Sequence, residues 1–390
     1  MARTISSVQS LRQSAVAHSL FTPTGLKAAV NKLGFVQADP IRAPARAQDL
    51  ILRPRVKGYK AGDLEKKYSK SEIEEDYLYA YGFMPRSVWR LLHPRDASDL
   101  PALEKKVLNL ARQLGRIHPA DLEVHLGTER VINAWGGYSK ATTRALDDLH
   151  YRGLLRIAGR EKGIRVFEPA PLRSETETKS KLESESESEL ESESESESES
   201  ESDSESKSID SSERLRKLVL LMAQIFAPAP SKSLQEVINK LRHSVLQPAD
   251  LRTVLGKLVK NGELQSYLVD GVTYICPAEF SPPGEVLQEV RILAPFDPVV
   301  WDRRRFEHLW GWAYRFEAYV PQAKRLRGYY AMPVLWGESV IGWVNATMTP
   351  HGFKTEIGYA IPRPRGAAFR NQLQAELLRL EQFLQSNHCS

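Results

Sequence analysis

LDDLHYRGLL at Leu146–Leu155 and LGKLVKNGEL at Leu255–Leu264 decide the fold. Leu146, Leu149, Gly153 and Leu155 recur at a constant offset of 109 as Leu255, Leu258, Gly262 and Leu264. In each copy two leucines three positions apart mark one helix face, a glycine ends the helix, and a leucine opens a strand. Upstream of the first copy, Leu103, Val107, Leu110 and Leu114 predict a helix, Pro119 to Leu126 a second and Ser139 to Arg152 a third. Leu154 to Arg160, the turn Glu161-Lys162-Gly163 and Ile164 to Glu168 predict a hairpin. The order repeats, with helices at Arg214 to Phe226, Leu234 to Leu241 and Pro248 to Asn261. A second hairpin joins Leu264 to Leu268 with Val272 to Ile275 through Asp270-Gly271. Three helices followed by a hairpin is the winged-helix order, so two degenerate copies of one module are expected.

On either side of these copies the pattern changes. Val8, Leu11, Ala15 and His18 or Ser19 follow a helical period after the capping candidates Ser6 and Ser7. Thr24 is the expected cap of a second helix carrying Leu26, Ala29, Val30 and Leu33, which Gly34 ends. A third helix is expected from near Pro44 to Leu52, completing a helix-turn-helix core. Beyond about Gly284 the chain turns aromatic and β-rich. Tyr329 to Leu335 and Val340 to Met348 flank the turn Trp336-Gly337-Glu338-Ser339, and Phe353 to Ile361 offers a third strand. Phe369, Leu373, Leu377, Leu380 and Leu384 mark a last helix, expected to pack on that sheet. The expected fold class is α+β, with tandem winged-helix modules followed by a C-terminal β-rich domain and a terminal helix. Its divisions fall at 1–98 (a helix-turn-helix or winged-helix domain), 99–172 and 212–283 (two further winged helices), and 284–390, with a linker at 173–211.

That linker is a Ser-Glu alternation with fourteen acids and three lysines between residues 174 and 207, a net −11. It has no apolar area to bury and reads as a disordered, solvated linker, or as an acidic decoy for whatever the rest binds. The whole chain is at +5, so the remainder carries +16, the charge of a polyanion binder. With 390 residues and 42% hydrophobic content, several small cores can be built. No apolar run reaches the length of a membrane span. Two cysteines, Cys276 and Cys389, far apart, exclude a disulfide framework or a cysteine-held cluster. The nine histidines show no ligand spacing, so neither metal nor cofactor is expected. The opening MARTISSVQSLRQ lacks the apolar core of a secretory signal. A cytoplasmic, nucleoid-associated monomer is the expectation.

Two stretches carry the chemical signals. In the first, Gln37-Ala38-Asp39-Pro40 runs into IRAPARAQDLIL. Taken alone, Asp39 before Pro40 reads as an ordinary loop or helix-entry pair, and Gln37 as a turn residue. The second is APFDPVVWDRRR at Ala294–Arg305, which reads as a turn with Asp297 as cap, then a basic helix start. Arg303, Arg304, Arg305, Arg315, Lys324, Arg325 and Arg327 crowd this region, where phosphate contact explains so many cations. Trp301, Trp310, Trp312, Tyr314 and Tyr319 lie between them, suited either to stack on bases or to fill a core, and core filling is the expected role for most of the tryptophans.

These residues resemble the winged-helix crosslink-repair DNA glycosylases, the YcaQ-like group, over nearly the whole chain outside the acidic tract. Gln37-Ala38-Asp39 matches the Gln-x-Asp form of that family's motif, continued by Ala45-Arg46 and Leu50-Ile51-Leu52. Phe83-Met84-Pro85-Arg86 matches a second segment. Pro295 to Arg303, Tyr314, Arg315, Glu317, Tyr319, Pro321, Lys324, Arg325 and Gly328-Tyr329-Tyr330 match the most specific block. Where the family tends to Trp-x-His-Glu this chain has Tyr77-Leu78-Tyr79-Ala80. Where it tends to Arg-x-Asp-x-Lys this chain has Trp343, Asn345 and Thr347.

The resemblance implies winged helices arranged around duplex DNA and excision of alkylated bases, crosslinked ones included. Breaking an N-glycosidic bond builds oxocarbenium character on the sugar, which a carboxylate stabilises while orienting water. An N7-alkylated purine is already cationic and leaves without a general acid. Asp39 is the candidate for the carboxylate and Gln37 for an assisting amide. One residue apart, they converge only where the chain bends. No lysine stands beside them, which favours hydrolysis over a Schiff base. Candidate DNA contacts are Arg42, Arg46, Lys140, Arg144, Arg303, Arg304, Arg315, Lys324 and Arg325, with double-stranded DNA as partner. The alternative is a non-catalytic winged-helix DNA-binding protein, a regulator or repair accessory. A metal-dependent nuclease ranks last, because no carboxylates cluster outside the acidic tract.

Overall fold

A computed structural model describes residues 5–93, 95, 99–132, 138–171, 211–241, 251–280, 286 and 288–388. The acidic tract, the start of the helix expected at Pro248, and Cys389 lie outside them. In chain order the helices are α1 (Val8–Ser19), α2 (Leu26–Leu33), α3 (Ala47–Leu52), α4 (Asp63–Lys67), α5 (Arg86–Leu92), α6 (Ala102–Leu114), α7 (Pro119–Leu126), α8 (Ala141–Tyr151), α9 (Ser211–Ile225), α10 (Ser231–Lys240), α11 (Leu251–Lys260), α12 (Pro298–Trp301), α13 (Arg303–Trp310) and α14 (Ala367–His388). The strands are β1 (Val36–Gln37), β2 (Ile73–Tyr77), β3 (Tyr81–Pro85), β4 (Arg130–Ile132), β5 (Tyr138–Lys140), β6 (Leu155–Glu161), β7 (Ile164–Pro169), β8 (Ala229–Pro230), β9 (Leu264–Val269), β10 (Val272–Pro277), β11 (Val290–Ile292), β12 (Met332–Trp336), β13 (Ser339–Thr349) and β14 (Gly352–Tyr359). They form small antiparallel sheets of order β1-β3-β2, β4-β5, β6-β7, β8-β10-β9 and β11-β12-β13-β14. The architecture is mixed α+β, closing on a four-stranded sheet and a terminal helix. Among the described residues no helix is long and apolar enough to cross a membrane.

The chain divides into two compact units, Asp96–Arg214 and the combination of Met1–Arg95 with Leu215–Ser390. Within the first, α6, α7 and α8 bury Val107, Leu122, Ala145, Leu146 and Leu149 against Ile157, Val166 and Phe167 of the β6-β7 hairpin. Here Pro119 opens α7 behind a capping box of His118 with Asp121. The repeat read from the sequence holds at every position. Leu146, Leu149, Leu255 and Leu258 are buried helical residues, and Leu155 and Leu264 are buried at strand starts. Gly153 and Gly262 both follow the helix at φ +76°, where a side chain would be strained.

In the second unit the core runs from one end of the sequence to the other. Leu11, Ala15 and Val16 of α1 pack with Tyr274 and Cys276 of β10, Val299 and Val300 of α12, Phe306 and Leu309 of α13, and Leu335 and Val340 of the last sheet. Thus α1, expected in a helix-turn-helix core, belongs as much to the C-terminal part. Ser7 caps it through a box with Ser10. Arg55 fastens this join. Its fully buried guanidinium donates to the Ser19 carbonyl at 2.7 Å, the Ile51 carbonyl at 2.6 Å, and both oxygens of buried Asp297 at 2.7 and 3.0 Å. Asp297 also caps α12, accepting from the Val299 N–H at 3.1 Å. A second bridge joins Arg53 to Glu376 of α14. Burial alone would raise the Glu376 carboxyl, but the Arg53 charge and hydrogen bonds from Arg53 and the Ile292 N–H leave it lowered.

Several sequence expectations are corrected. Helix α3 begins at Ala47, not at Pro44, whose peptide bond with Ala43 is cis. Thr24 does not cap α2, where Gly25 is the N-cap without a side-chain hydrogen bond. Its backbone instead pairs with the Arg55 carbonyl and the Lys57 N–H, both at 3.0 Å. The hairpin β2–β3 was not foreseen, since β2 carries three consecutive acids, Glu74, Glu75 and Asp76, buried on both of its faces. Removing one partner of a buried ion pair strands the other charge. Asp297→Ala is therefore expected to lower unfolding free energy by about 3–5 kcal/mol in chemical denaturation.

Candidate active site

Gly34 ends α2 at φ +70°, and the chain then runs out along β3. Val36 pairs with Phe83 and Gln37 with Gly82, and the Ala38 N–H still donates to the Tyr81 carbonyl at 2.9 Å. Only glycine fits opposite Gln37. A Cβ on Gly82 would lie 2.3 Å from the Val36 carbonyl oxygen and 3.0 Å from Gln37 Cα. Past Ala38 the ladder ends and the chain bends. Oδ1 of Asp39 accepts from the Ile41 N–H at 2.8 Å, closing an Asx turn. Oδ2 has no hydrogen-bond partner among the described residues. Asp39 is partly exposed, and desolvation raises its carboxyl above the ordinary value against the opposing pull of the Ile41 N–H.

The C-terminal part meets this bend. Trp301, at the end of α12, donates its indole N–H to Gln37 Oε1 at 2.9 Å. Indole is a donor only, so Gln37 must present its oxygen there, leaving its NH2 as the free end. Trp301 is itself wedged between Phe226 and Tyr79, with ring centroids at 4.7 and 5.2 Å. Tyr79 is buried and also packs on Phe35 at 4.8 Å, so this departure from the family pattern fills space behind Gln37. Of the other departures, Trp343 packs on Trp312, and Asn345 donates to the Arg327 carbonyl at 2.5 Å.

Three tyrosines of the family block, Tyr319, Tyr329 and Tyr330, complete the surroundings. Desolvation raises the phenols of Tyr319 and Tyr330, and in both the Asp39 charge is the next cause, so the carboxylate faces this pair. Tyr319 and Tyr329 are exposed, whereas Tyr330 is buried with its ring edge-on to Phe316 at 5.3 Å. Their signal is the interleaving of tyrosine with basic residues from Tyr314 to Tyr330, for which base stacking and core filling were both open. Trp310 and Tyr314 are buried in the core.

The expected DNA contacts separate into two groups. Arg42, in the Asp39 bend, is exposed, as are Arg315 and Lys324 beside the tyrosines and Arg144 on α8. Arg304 is exposed but paired with Glu236 at 2.8 Å, Lys140 is paired with Glu123, and Arg46 with Glu65. Arg325 donates to the Val320 carbonyl at 2.8 Å and lies over the Tyr329 ring. Arg303 is turned inward. Its guanidinium donates to the Val300 and Pro295 carbonyls at 2.6 and 2.9 Å, sits 4.5 Å over the Tyr314 ring, and is lowered by desolvation. It braces the α12 turn and is not presented to a phosphate. Arg305 is likewise buried, donating to the Phe226, Pro228, Pro298 and Val299 carbonyls. An open cleft lined by Arg363, Arg365 and Arg370 adds cations that the sequence reading passed over. Among the described residues no group of three histidine, cysteine, aspartate or glutamate side chains could hold a metal ion.

Asp39 also links the site to stability. Its folded-state carboxyl is raised, so the folded chain holds its proton to higher pH than the unfolded chain. Stability is therefore lost as pH rises from the ordinary aspartate value through the raised one. Asp39→Asn removes that penalty. At neutral pH the variant is expected to melt at or above the wild-type temperature, with the difference vanishing in acid. Calorimetry across pH checks both the sign and the window.

The AlkZ-like family, described as DNA glycosylase AlkZ-like, matches residues 30–383, a span holding the Gln37–Asp39 bend, both copies of the repeat and the basic aromatic block. No solved structure matches the chain. With most of its length covered, the chain belongs to the AlkZ-like DNA glycosylase family.

Proposed function

We propose that this chain is a monofunctional DNA glycosylase that hydrolyses the N-glycosidic bond of alkylated bases, crosslinked ones included, in duplex DNA. The carrying observation is Asp39. It is a half-buried carboxylate with one oxygen uncommitted among the described residues, in a bend that also presents exposed Arg42. The helix–hairpin modules at 99–172 and 212–283, with the N-terminal domain, act as winged helices gripping the duplex, and the C-terminal part supplies Arg315, Lys324 and Arg325. As the bond lengthens, positive charge grows on the deoxyribose, and Asp39 Oδ2 stabilises it while holding a water for the vacated carbon. Gln37, fixed through its oxygen by Trp301, directs its NH2 toward that water or the sugar. No lysine lies between Gln37 and Ile41, so water rather than an amine is the nucleophile.

Purified protein incubated with an N7-methylguanine duplex, followed by alkaline scission at abasic sites, tests this directly. Strand breaks at the lesion are expected from the wild type. Asp39→Asn is expected to give none within about a thousandfold of the wild-type rate, at nearly unchanged DNA affinity. Tight binding with no abasic sites on any alkylated duplex would leave a DNA-binding protein without catalysis. Affinity is expected to fall steeply with salt. Substituting Arg42, Arg315 or Lys324 is expected to reduce that slope by about one each, and Arg303→Gln to leave it alone.

A further inference from the structure

Apolar side chains gather in solvent on the loop between Tyr319 and Tyr330. Tyr319 is 72% exposed, Leu326 76% and Tyr329 41%. The loop is nonetheless held firmly. Oε2 of buried Glu317 accepts from the N–H groups of both Leu326 and Arg327, at 3.0 and 2.7 Å. Arg325 Nε donates to the Val320 carbonyl at 2.8 Å and Arg327 Nη2 to the Ala313 carbonyl at 2.7 Å. Asn345 of β13 holds the Arg327 carbonyl from the other side. A buried carboxylate is thus committed to fixing the backbone under a leucine that buries almost nothing in this chain. Such an arrangement makes sense when the leucine's contacts lie in a partner. Its surroundings name that partner's chemistry. Exposed Lys324 stands on the same loop and exposed Arg315 just before it, while Arg325 and Arg327 are spent on loop carbonyls and ring faces. An apolar tip beside such cations fits a base step flanked by phosphates.

We propose that Leu326 is a wedge that enters the duplex base stack beside the lesion, opening the step from which the damaged nucleotide is presented to the site. Apolar side chains of this size unstack a base step when basic neighbours hold the backbone, and extrusion of a base is least costly where pairing is already lost. The link to Asp39 rests on the functional reading above, whereas the opening of the stack does not.

The test uses the full chain, as wild type, Leu326→Ala, Leu326→Met and Asp39→Asn, on one N7-methylguanine lesion in a paired duplex and in a mismatched bubble. Leu326→Ala is expected to slow excision about tenfold or more in the duplex and by less than about twofold in the bubble, while Leu326→Met keeps most duplex activity. Equal losses on both substrates, or none on the duplex, overturn the wedge. A second readout needs no catalysis: 2-aminopurine beside the lesion is expected to brighten on binding wild type or Asp39→Asn, but not Leu326→Ala. Brightening that ignores residue 326 overturns the proposal. Brightening that depends on it, from a wild type that excises nothing, upholds the wedge and defeats the glycosylase reading alone.

Discussion

The site exists because a buried guanidinium ties two distant parts of the chain together. Arg55 reaches Ser19 at the end of α1, Ile51 in α3 and both oxygens of Asp297, which in turn starts α12. The bend carrying Asp39 lies between α2 and α3, and Trp301 ends α12. The planar fork of arginine is what allows one side chain to satisfy three carbonyl or carboxylate partners with all atoms out of water. Such a pair adds little net stability over a well-packed apolar substitute, because desolvation offsets much of its attraction. Its value here is geometric: it fixes which residues of the C-terminal part meet Gln37.

From that join the electrostatics follow. Asp39 stands where the ladder of β1 with β3 stops, so its backbone bends and only one oxygen is taken by an amide. Partial burial beside Tyr319 and Tyr330 makes its charge costly, which is the condition under which a carboxylate gains most from a cation forming nearby. The basic residues divide by depth. Arg55, Arg303 and Arg305 are consumed inside, on carbonyls and on Asp297, and hold the α12–α13 turn. Arg42, Arg315 and Lys324 remain exposed on the surface.

Much of this was legible in the residues, for definable reasons. The repeat of Leu146 to Leu155 at Leu255 to Leu264 is local, set by helix period and a glycine stop, and it holds at every position. Asp297 as a cap was equally local. Its ion pair with Arg55 spans 242 positions and leaves no periodic trace. The strands β2 and β3 were hidden because buried acids break the apolar alternation that identifies strands, and those acids are satisfied by partners distant in sequence, such as Trp89 and Arg86. Gln37 and Asp39 could be named from the motif alone. Tyr319, Tyr329 and Tyr330 fall in the family block as well, but exposed and buried tyrosines look alike until the loop they sit on is placed. The inward turn of Arg303 onto the Val300 and Pro295 carbonyls is equally invisible in a basic run.

Under the proposed mechanism, the Asp39 carboxylate faces the sugar as positive charge develops on it. A duplex bearing a cationic pyrrolidine in place of the lesion's deoxyribose imitates that charge, and one bearing tetrahydrofuran has the same shape without it. Comparing the two Kd values for wild type and Asp39→Asn is the most direct test. Wild type is expected to favour the pyrrolidine by about a hundredfold or more, and Asp39→Asn to lose the preference while binding tetrahydrofuran as before. Equal affinities in the wild type, or a preference that survives in Asp39→Asn, would contradict it.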